Sequence, residues 1–265
     1  MANATRTPFS LKRLHLLSML IGGFFATITV VAQGPVPDSP AIEAKVRALL
    51  AKLTLARKIE LPGGTNGVFT CPMPVIGLPD LRMSDGPMGV NSDGLTGYMR
   101  FGPLPPSTAF ATGTGLAATW DTNLAYEVRE AIGRDARARG INFFLGPEVN
   151  IGHSTVNGRN FEYLSEDPFL TSEIVVPLIE GIQSQGAIAT AKYYAQNNEE
   201  YDRYNTSAGL DERAMREIYL PAFEAAVTRA RVDAVMNSFL NLKVLKGDGE
   251  FQEGCCPIGT PLAIH

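Results

Sequence analysis

Residues 141–191 decide the fold, because two short apolar segments enclose a longer segment with helical periodicity. The first apolar segment is INFFL (141–145), which follows a glycine and has the length of a buried strand. Residues 168–185 place apolar side chains at four-residue steps, and this spacing predicts a helix. The second apolar segment, AIATA (187–191), predicts another strand. A strand, a helix and a strand in this order form a right-handed unit with two parallel strands.

The same alternation continues on both sides of this unit. Towards the N-terminus, residues 81–84 predict a short strand, and residues 123–139 predict a helix with Asp121 as its N-cap. Towards the C-terminus, residues 211–229 predict a helix kinked by an internal proline, and residues 232–239 predict a strand. Strands that alternate with helices predict an α/β fold with a parallel sheet.

The N-terminus has the pattern of a secretory signal. Two basic residues precede an apolar run over residues 16–31, and small residues at its end favour cleavage before Gln33. The alternative is an uncleaved membrane anchor, since the run is near the lower length limit for a span. We predict a signal peptide over residues 1–32, a linker over residues 33–41, and a secreted or periplasmic protein without membrane contact after cleavage.

Composition and charge narrow the class of protein. Of the 265 residues, 45% are hydrophobic and 19% are charged, which is typical of a folded globular protein. The net charge is −4, and without the predicted signal peptide 20 basic residues face 27 acidic ones. An acidic chain of this kind disfavours binding to nucleic acid or to an anionic membrane, because both present phosphates.

Polar residues of interest follow three of the predicted strands. Asp85 follows the first strand, the loop over residues 146–163 follows the second, and Lys192 follows the third. Since the carboxyl ends of parallel strands share one edge, these groups are expected to meet there, as catalytic groups do in (β/α) barrels.

The loop segment NGRNFEY (157–163) has the chemistry of a sugar site. Arg159 offers a planar fork of hydrogen-bond donors, Glu162 accepts hydrogen bonds from hydroxyls, and two aromatic rings can pack on C–H surfaces. The alternative is structural, because Arg159 and Glu162 are three residues apart and can form an ion pair that fixes the loop.

Other chemistries find less support in the sequence. The chain has three histidines, one of them in the predicted signal peptide and one at the C-terminus, which excludes a multi-histidine metal site. Lys192 has three readings: it binds substrate hydroxyls, it pairs with a carboxylate, or it is a Schiff-base nucleophile as in a barrel aldolase. We rank hydroxyl binding first and the Schiff base well behind it.

Four motifs together resemble a known family. They are LRMSDGP (81–87), NGRNFE (157–162), AKYYAQNNE (191–199), and DER with REIYLPAF (211–223). In this order they resemble the N-terminal barrel domain of glycoside hydrolase family 3, which includes β-glucosidases and β-xylosidases. Four ordered motifs are far more specific than any one of them alone.

The resemblance implies a fold and a reaction. The fold is a (β/α)8 TIM-barrel-type α/β domain, and residues 42–240 would supply about six of its βα units. The reaction is hydrolysis of terminal non-reducing β-linked sugars, from an oligosaccharide or glycoside, by a retaining mechanism that uses two carboxyl groups. No metal or other cofactor is implied.

The resemblance also implies which residues hold the substrate. Asp85, Arg159 and Lys192 would bind the hydroxyls of the terminal sugar. Tyr193 stands where the family usually has histidine, and its phenol can still donate to a hydroxyl although it cannot become a cation near neutral pH.

The C-terminal part departs from the family. The family's nucleophile is an aspartate in a Ser-Asp-Trp-like motif, and this chain shows neither that motif nor a segment for the general acid, so we assign no catalytic residue. Residues 241–265 are predicted to be an unmatched tail. An incomplete sheet leaves strand edges uncovered. We therefore expect an inactive chain of marginal stability, unless a separately encoded remainder of the enzyme closes the barrel.

Three hypotheses remain open at this point. The first is a truncated β-glycosidase domain, and the second is a carbohydrate-binding remnant that keeps the sugar-holding residues without chemistry. The third is a lyase or aldolase that uses Lys192.

Overall fold

The computed structural model describes residues 39–65, 68–91, 105–245, 251–253 and 261–263. The predicted signal peptide over residues 1–32 and most of the linker over residues 33–41 lie outside them. Within the described residues, no helix has both the length and the apolar character needed to cross a membrane.

The helices begin and end close to the predicted positions. Those described are α1 (Pro40–Leu50), α2 (Leu55–Glu60), α3 (Gly113–Ala117), α4 (Thr122–Ala138), α5 (Pro168–Gln183), α6 (Glu212–Ala214) and α7 (Pro221–Thr228). Asp121 caps α4 as predicted, because its carboxylate accepts from the backbone N–H groups of Asn123 and Leu124 at 3.0 Å. Helix α1 has Pro40 at its first position, where proline needs no hydrogen-bond partner.

The predicted kink near Pro221 is a break in the helix. The segment consists of α6, a π-helical turn over Met215–Tyr219, and α7, which starts at Pro221 itself. Proline has no N–H to donate to the preceding turn, so the chain restarts a helix there instead of bending one. Helix α3 was missed, since it is short and rich in glycine.

The main sheet contains the four predicted strands in sequence order. It has the strand order β10, β7, β5, β4, β3, with β3 (Met83–Asp85), β4 (Phe143–Leu145), β5 (Ile188–Tyr194) and β7 (Ala234–Asn237) mutually parallel. Strand β10 (Pro261–Ala263) pairs antiparallel with β7. This confirms the α/β class with a parallel sheet.

The barrel is only partly present in the part of the chain that the structure describes. There the main sheet has four parallel strands, not the six expected, and its edge strands β3 and β10 do not pair with each other. After β5, the chain adds β7 and β10 to the main sheet, and its other described strands lie in a second sheet. A second sheet joins β6 (Ser207–Asp211), β8 (Asn241–Leu245) and β9 (Phe251–Glu253), and a small hairpin joins β1 (Gly64–Thr65) to β2 (Phe69–Thr70).

The sheet has two apolar faces, as a barrel wall requires. Phe144 and Ala189 lie in the larger core cluster, which includes the buried faces of α4, α5 and α7. Phe143 and Leu145 lie in a smaller cluster with Met236. Alternate residues of a strand point to opposite faces, which explains why β4 is apolar throughout.

Candidate functional site

The site lies at the carboxyl ends of β3, β4 and β5, where the sequence predicted it. The register pairs Asp85 at the end of β3 with Leu145 at the end of β4. Three residues further along, Glu148 forms an isolated parallel bridge with Lys192 of β5. The backbone pairing of neighbouring strands therefore brings Asp85, Glu148 and Lys192 to one edge of the sheet.

Asp85 is held by both its own turn and a distant lysine. Its Oδ1 accepts from the backbone N–H of Gly86 at 3.0 Å and from Nζ of Lys192 at 2.6 Å. Burial alone would raise the pKa of Asp85, but the charge and hydrogen bond of Lys192, assisted by Arg159, lower it below the usual value. Asp85 is therefore an anion at neutral pH. Asp85 thus fixes its own turn, and its contact with a ligand stays a prediction.

Lys192 is fixed between two carboxylates. Its Nζ lies 2.6 Å from Asp85 and 2.5 Å from Oε1 of Glu148, and the side chain is 1% exposed. Burial would lower the pKa of Lys192, but Asp85, Glu148 and Glu162 together raise it above the usual value. A Schiff-base nucleophile needs a depressed pKa and a free amine. This geometry therefore gives no support to the lyase or aldolase hypothesis.

Arg159 connects the loop to the strand end. Its Nε lies 3.7 Å from Glu162 and 3.6 Å from Glu200, and its Nη1 donates to the phenol oxygen of Tyr193. The loop-fixing ion pair with Glu162 thus exists, and it leaves the guanidinium lining the cavity described below. The structural reading of the loop motif is thus confirmed, and sugar binding by the loop stays a prediction.

Tyr193 is buried, as Lys192 is, and its phenol accepts a hydrogen bond from Arg159. It is 2% exposed, and its ring packs against Phe239 with 5.4 Å between centroids. The carbon at the centre of the Arg159 guanidinium lies 5.3 Å from the ring centre. In the described structure Tyr193, like Lys192, does not line the cavity. Tyr193 contacts Arg159, which does, so it can affect a ligand only by holding that arginine in place.

A cavity of about 410 Å³ opens beside these groups. Asp85, Arg159 and Glu162 supply its charged side, and its remaining walls come from residues 86–91 and 107–109 and from Phe161. Small-molecule sites typically span about 300–1,000 Å³. The cavity therefore has the size for one small ligand, with Asp85, Arg159 and Glu162 along one side.

Two acidic residues of the site were missed by the sequence analysis. Glu148 follows the buried strand β4 by three residues, so the rule that found Lys192 applies to it as well. Glu200 contacts Arg159 and lies 2.8 Å from Arg203, and it had no sequence signal beyond its proximity to the third motif.

Glu162 has an unusual protonation state. Burial and the neighbouring Glu148 raise its pKa from 4.5 to about 9, although Lys192 and Arg159 act in the opposite direction. The two neighbouring carboxyl groups, Glu162 and Glu148, therefore retain a proton between them near neutral pH.

Replacing Glu162 by glutamine is expected to flatten the pH dependence of stability. The native state holds a proton on Glu162 that the unfolded chain releases above its ordinary pKa. The free energy of unfolding should therefore fall as the pH rises from about 4.5 towards about 9. Glu162→Gln cannot ionise and should lose less stability over this interval. Urea unfolding at pH 5, 7 and 9 measures both slopes, and equal slopes would contradict the assigned protonation state.

The comparisons with known proteins agree on one family. The model of the glycosyl hydrolase family 3 N-terminal domain matches residues 81–257. The match begins later and ends later than the domain predicted over residues 42–240.

Several relatives are β-glucosidases. A β-glucosidase of Bacteroides ovatus is 40% identical over 238 residues, which cover 82% of this chain and 31% of the relative. Thermostable β-glucosidase B of Acetivibrio thermocellus is 38% identical, over 74% of this chain and 26% of the relative. The chain thus spans about a third or less of the length of these relatives.

Solved structures give the same result. β-Glucosidase 3B of Thermotoga neapolitana in complex with glucose superposes with a TM-score of 0.68 and 36% identity, covering 75% of this chain and 30% of that one. A β-D-glucoside glucohydrolase of Trichoderma reesei gives a TM-score of 0.69 and 35% identity, covering 78% and 29%.

Proposed function

Because the chain belongs to glycosyl hydrolase family 3, we propose that its cavity holds the terminal non-reducing sugar of a β-linked glucoside for hydrolysis. One observation carries this proposal: Asp85 and Arg159, from two separate βα segments, line one cavity, and Nζ of Lys192, from a third, lies 2.6 Å from Asp85. The anion and the cation in the cavity wall supply acceptors and donors for the vicinal hydroxyls of a pyranose, and the buried ammonium holds the anion in place.

The groups are also arranged to stay in place without a ligand. Lys192 and Asp85 hold each other, and Tyr193 and Glu162 hold Arg159. A site whose donors and acceptors are fixed in advance loses little entropy when the ligand binds. These contacts support a preorganised sugar subsite.

In the retaining mechanism that we propose, two carboxyl groups about 5–5.5 Å apart form and break a covalent glycosyl-enzyme. We assign neither role to Asp85, because it is committed to Lys192 and to its own turn. We propose that the described residues bind the sugar, and that the nucleophile and the acid come from another segment or a separately encoded partner. The chain alone would then bind glucose without hydrolysing a β-glucoside.

Isothermal titration with glucose, beside an assay with an aryl β-glucoside, tests this proposal. Arg159→Ala is expected to weaken glucose binding about 10–100-fold, because it removes a charged hydrogen-bond donor. Arg134→Ala is the matched control, since that arginine is 58% exposed and pairs only one helical turn away with Glu130.

Two results would contradict the proposal. Absence of glucose binding by the unaltered chain would remove the sugar subsite. Hydrolysis of the aryl β-glucoside by the chain alone would show that it carries its own catalytic carboxyls. Binding without turnover supports a sugar-holding part of the site.

A further inference from the structure

Glu148 is a buried carboxylate that the proposed function leaves without a role. It is 0% exposed and sits three residues beyond β4, next to Lys192 in the backbone pairing. Its Oε1 lies 2.5 Å from the Nζ of Lys192. A buried charge is expensive unless it is paired. The fold therefore keeps a second carboxylate on a lysine that Asp85 already binds.

Charged groups surround Glu148 from two further elements. Arg129 of α4 is 1% exposed, and its charge interacts with that of Glu148. Glu162 of the loop, whose pKa the neighbouring Glu148 helps to raise, lines the cavity. Glu148 thus interacts with two cations, Arg129 in the helix layer and Lys192 at the site.

The reason for a second carboxylate follows from what a ligand does to the first. A sugar hydroxyl that donates to Asp85 competes with Lys192 for the same oxygens, and Asp85 is the partly exposed member of the pair. Lysine is flexible, with three donors on a long stem. With Asp85 alone as its anchor, the ammonium would be free to change position when the ligand arrives.

We propose that Glu148 is a positioning residue. It holds the Lys192 ammonium in place, so that Asp85 remains available to the sugar. This inference rests on the proposed sugar subsite. Glu148 is fully buried and absent from the cavity wall, as Lys192 is, so its effect on the ligand passes through Lys192 and Asp85.

An experiment must distinguish the positioning of Lys192 from a structural role of Glu148. Glu148 also neutralises Arg129, and a variant that leaves Arg129 unpaired in the core is expected to be strongly destabilised. The double variant Arg129→Met/Glu148→Gln removes both charges and keeps similar side-chain volumes. It separates the neutralisation of Arg129 from the anchoring of Lys192.

Glucose titration and thermal unfolding of the full chain test the inference. Glu148→Gln is expected to weaken glucose binding at least 10-fold and to lower the unfolding midpoint. The double variant should recover much of the midpoint while glucose binding stays at least 10-fold weakened. Recovery of glucose binding to the unaltered level in the double variant would overturn the inference. Glu166→Gln, an exposed carboxylate of the adjacent loop, is the matched control and should bind glucose normally.

A second measurement needs no ligand. A buried, hydrogen-bonded lysine ammonium exchanges its protons slowly, so its N–H signal is observable by nitrogen-15 NMR, and Lys192→Met assigns it by removing it. The signal should persist in Glu166→Gln and disappear in the double variant. Its persistence in the double variant would overturn the inference. If the unaltered chain binds no glucose, the proposed function fails, while this signal still decides whether Glu148 anchors Lys192.

Discussion

Lys192→Met is expected to abolish glucose binding and to destabilise the protein by about 3–5 kcal/mol, the usual consequence of removing one partner from a buried ion pair. The lysine is 1% exposed and lies within 2.6 Å of two carboxylates, Asp85 and Glu148. Methionine fills much of the space but leaves both carboxylates without their shared cation. Asp85 and Glu148 would then repel each other, and Asp85 would lose its position at the cavity.

The stability deficit of this variant should depend on pH with a defined sign. In the unaltered protein Lys192 lowers the pKa of Asp85, which remains charged at little cost. Without the ammonium, burial dominates and the pKa of Asp85 rises, so the native variant binds more protons than its unfolded state. Protonation then relieves the repulsion. The difference in unfolding free energy between the two proteins should be smaller at pH 5 than at pH 8.

Urea unfolding at both pH values and glucose titration at pH 7 measure these effects. Lys58→Met is the matched control, because Lys58 is an exposed residue of α2. It should change neither property beyond about 0.5 kcal/mol. Retention of glucose binding by Lys192→Met would remove Lys192 from the site.

The sequence was sufficient to predict the four parallel strands of the main sheet and the proximity of Asp85, Arg159 and Lys192. β4 and β5 are short apolar runs between turn signals, and the carboxyl-end rule for parallel strands then placed Asp85 and Lys192 at one edge. This prediction needed only the order of the strands, because neighbouring parallel strands bring their carboxyl ends to the same edge of the sheet. Arg159 was found by its chemistry within a loop motif.

The rest of the site depends on contacts that periodicity does not encode. Glu148 looks like an ordinary loop carboxylate until the pairing of β4 with β5 shows it against Lys192. Tyr193 follows Lys192 directly, yet its phenol faces Arg159 and not the cavity. The second sheet was missed for a related reason. Because 29 residues lie between the end of β6 and the start of β8, these strands pair only through tertiary folding.

Gly86→Ala is expected to disrupt the site through the backbone. Gly86 has a φ of +147°, and a Cβ placed there would lie 1.9 Å from the carbonyl oxygen of Gly89. Neither atom is at the end of a flexible side chain, so the turn itself must move. Backbone strain and overpacking together suggest a loss of about 3–5 kcal/mol.

The turn that must move is the one that aims Asp85. The N–H of Gly86 donates to the Asp85 carboxylate, and the N–H of Asn91 donates to the Asp85 carbonyl oxygen at 2.9 Å. We therefore expect glucose affinity to fall at least 10-fold in whatever fraction of Gly86→Ala remains folded. Thermal unfolding and glucose titration measure the two effects separately.

Gly77→Ala is a control that isolates the effect of backbone conformation. Gly77 has a φ of +71°, but a Cβ there meets nothing within 4 Å. Alanine should cost about 1–2 kcal/mol from the left-handed conformation alone and leave glucose binding unchanged. If both variants lost the same stability and neither lost binding, close packing of the turn after β3 would not be what fixes Asp85. Loss of binding in Gly86→Ala alone would tie the position of the carboxylate to the space that only glycine leaves beside Gly89.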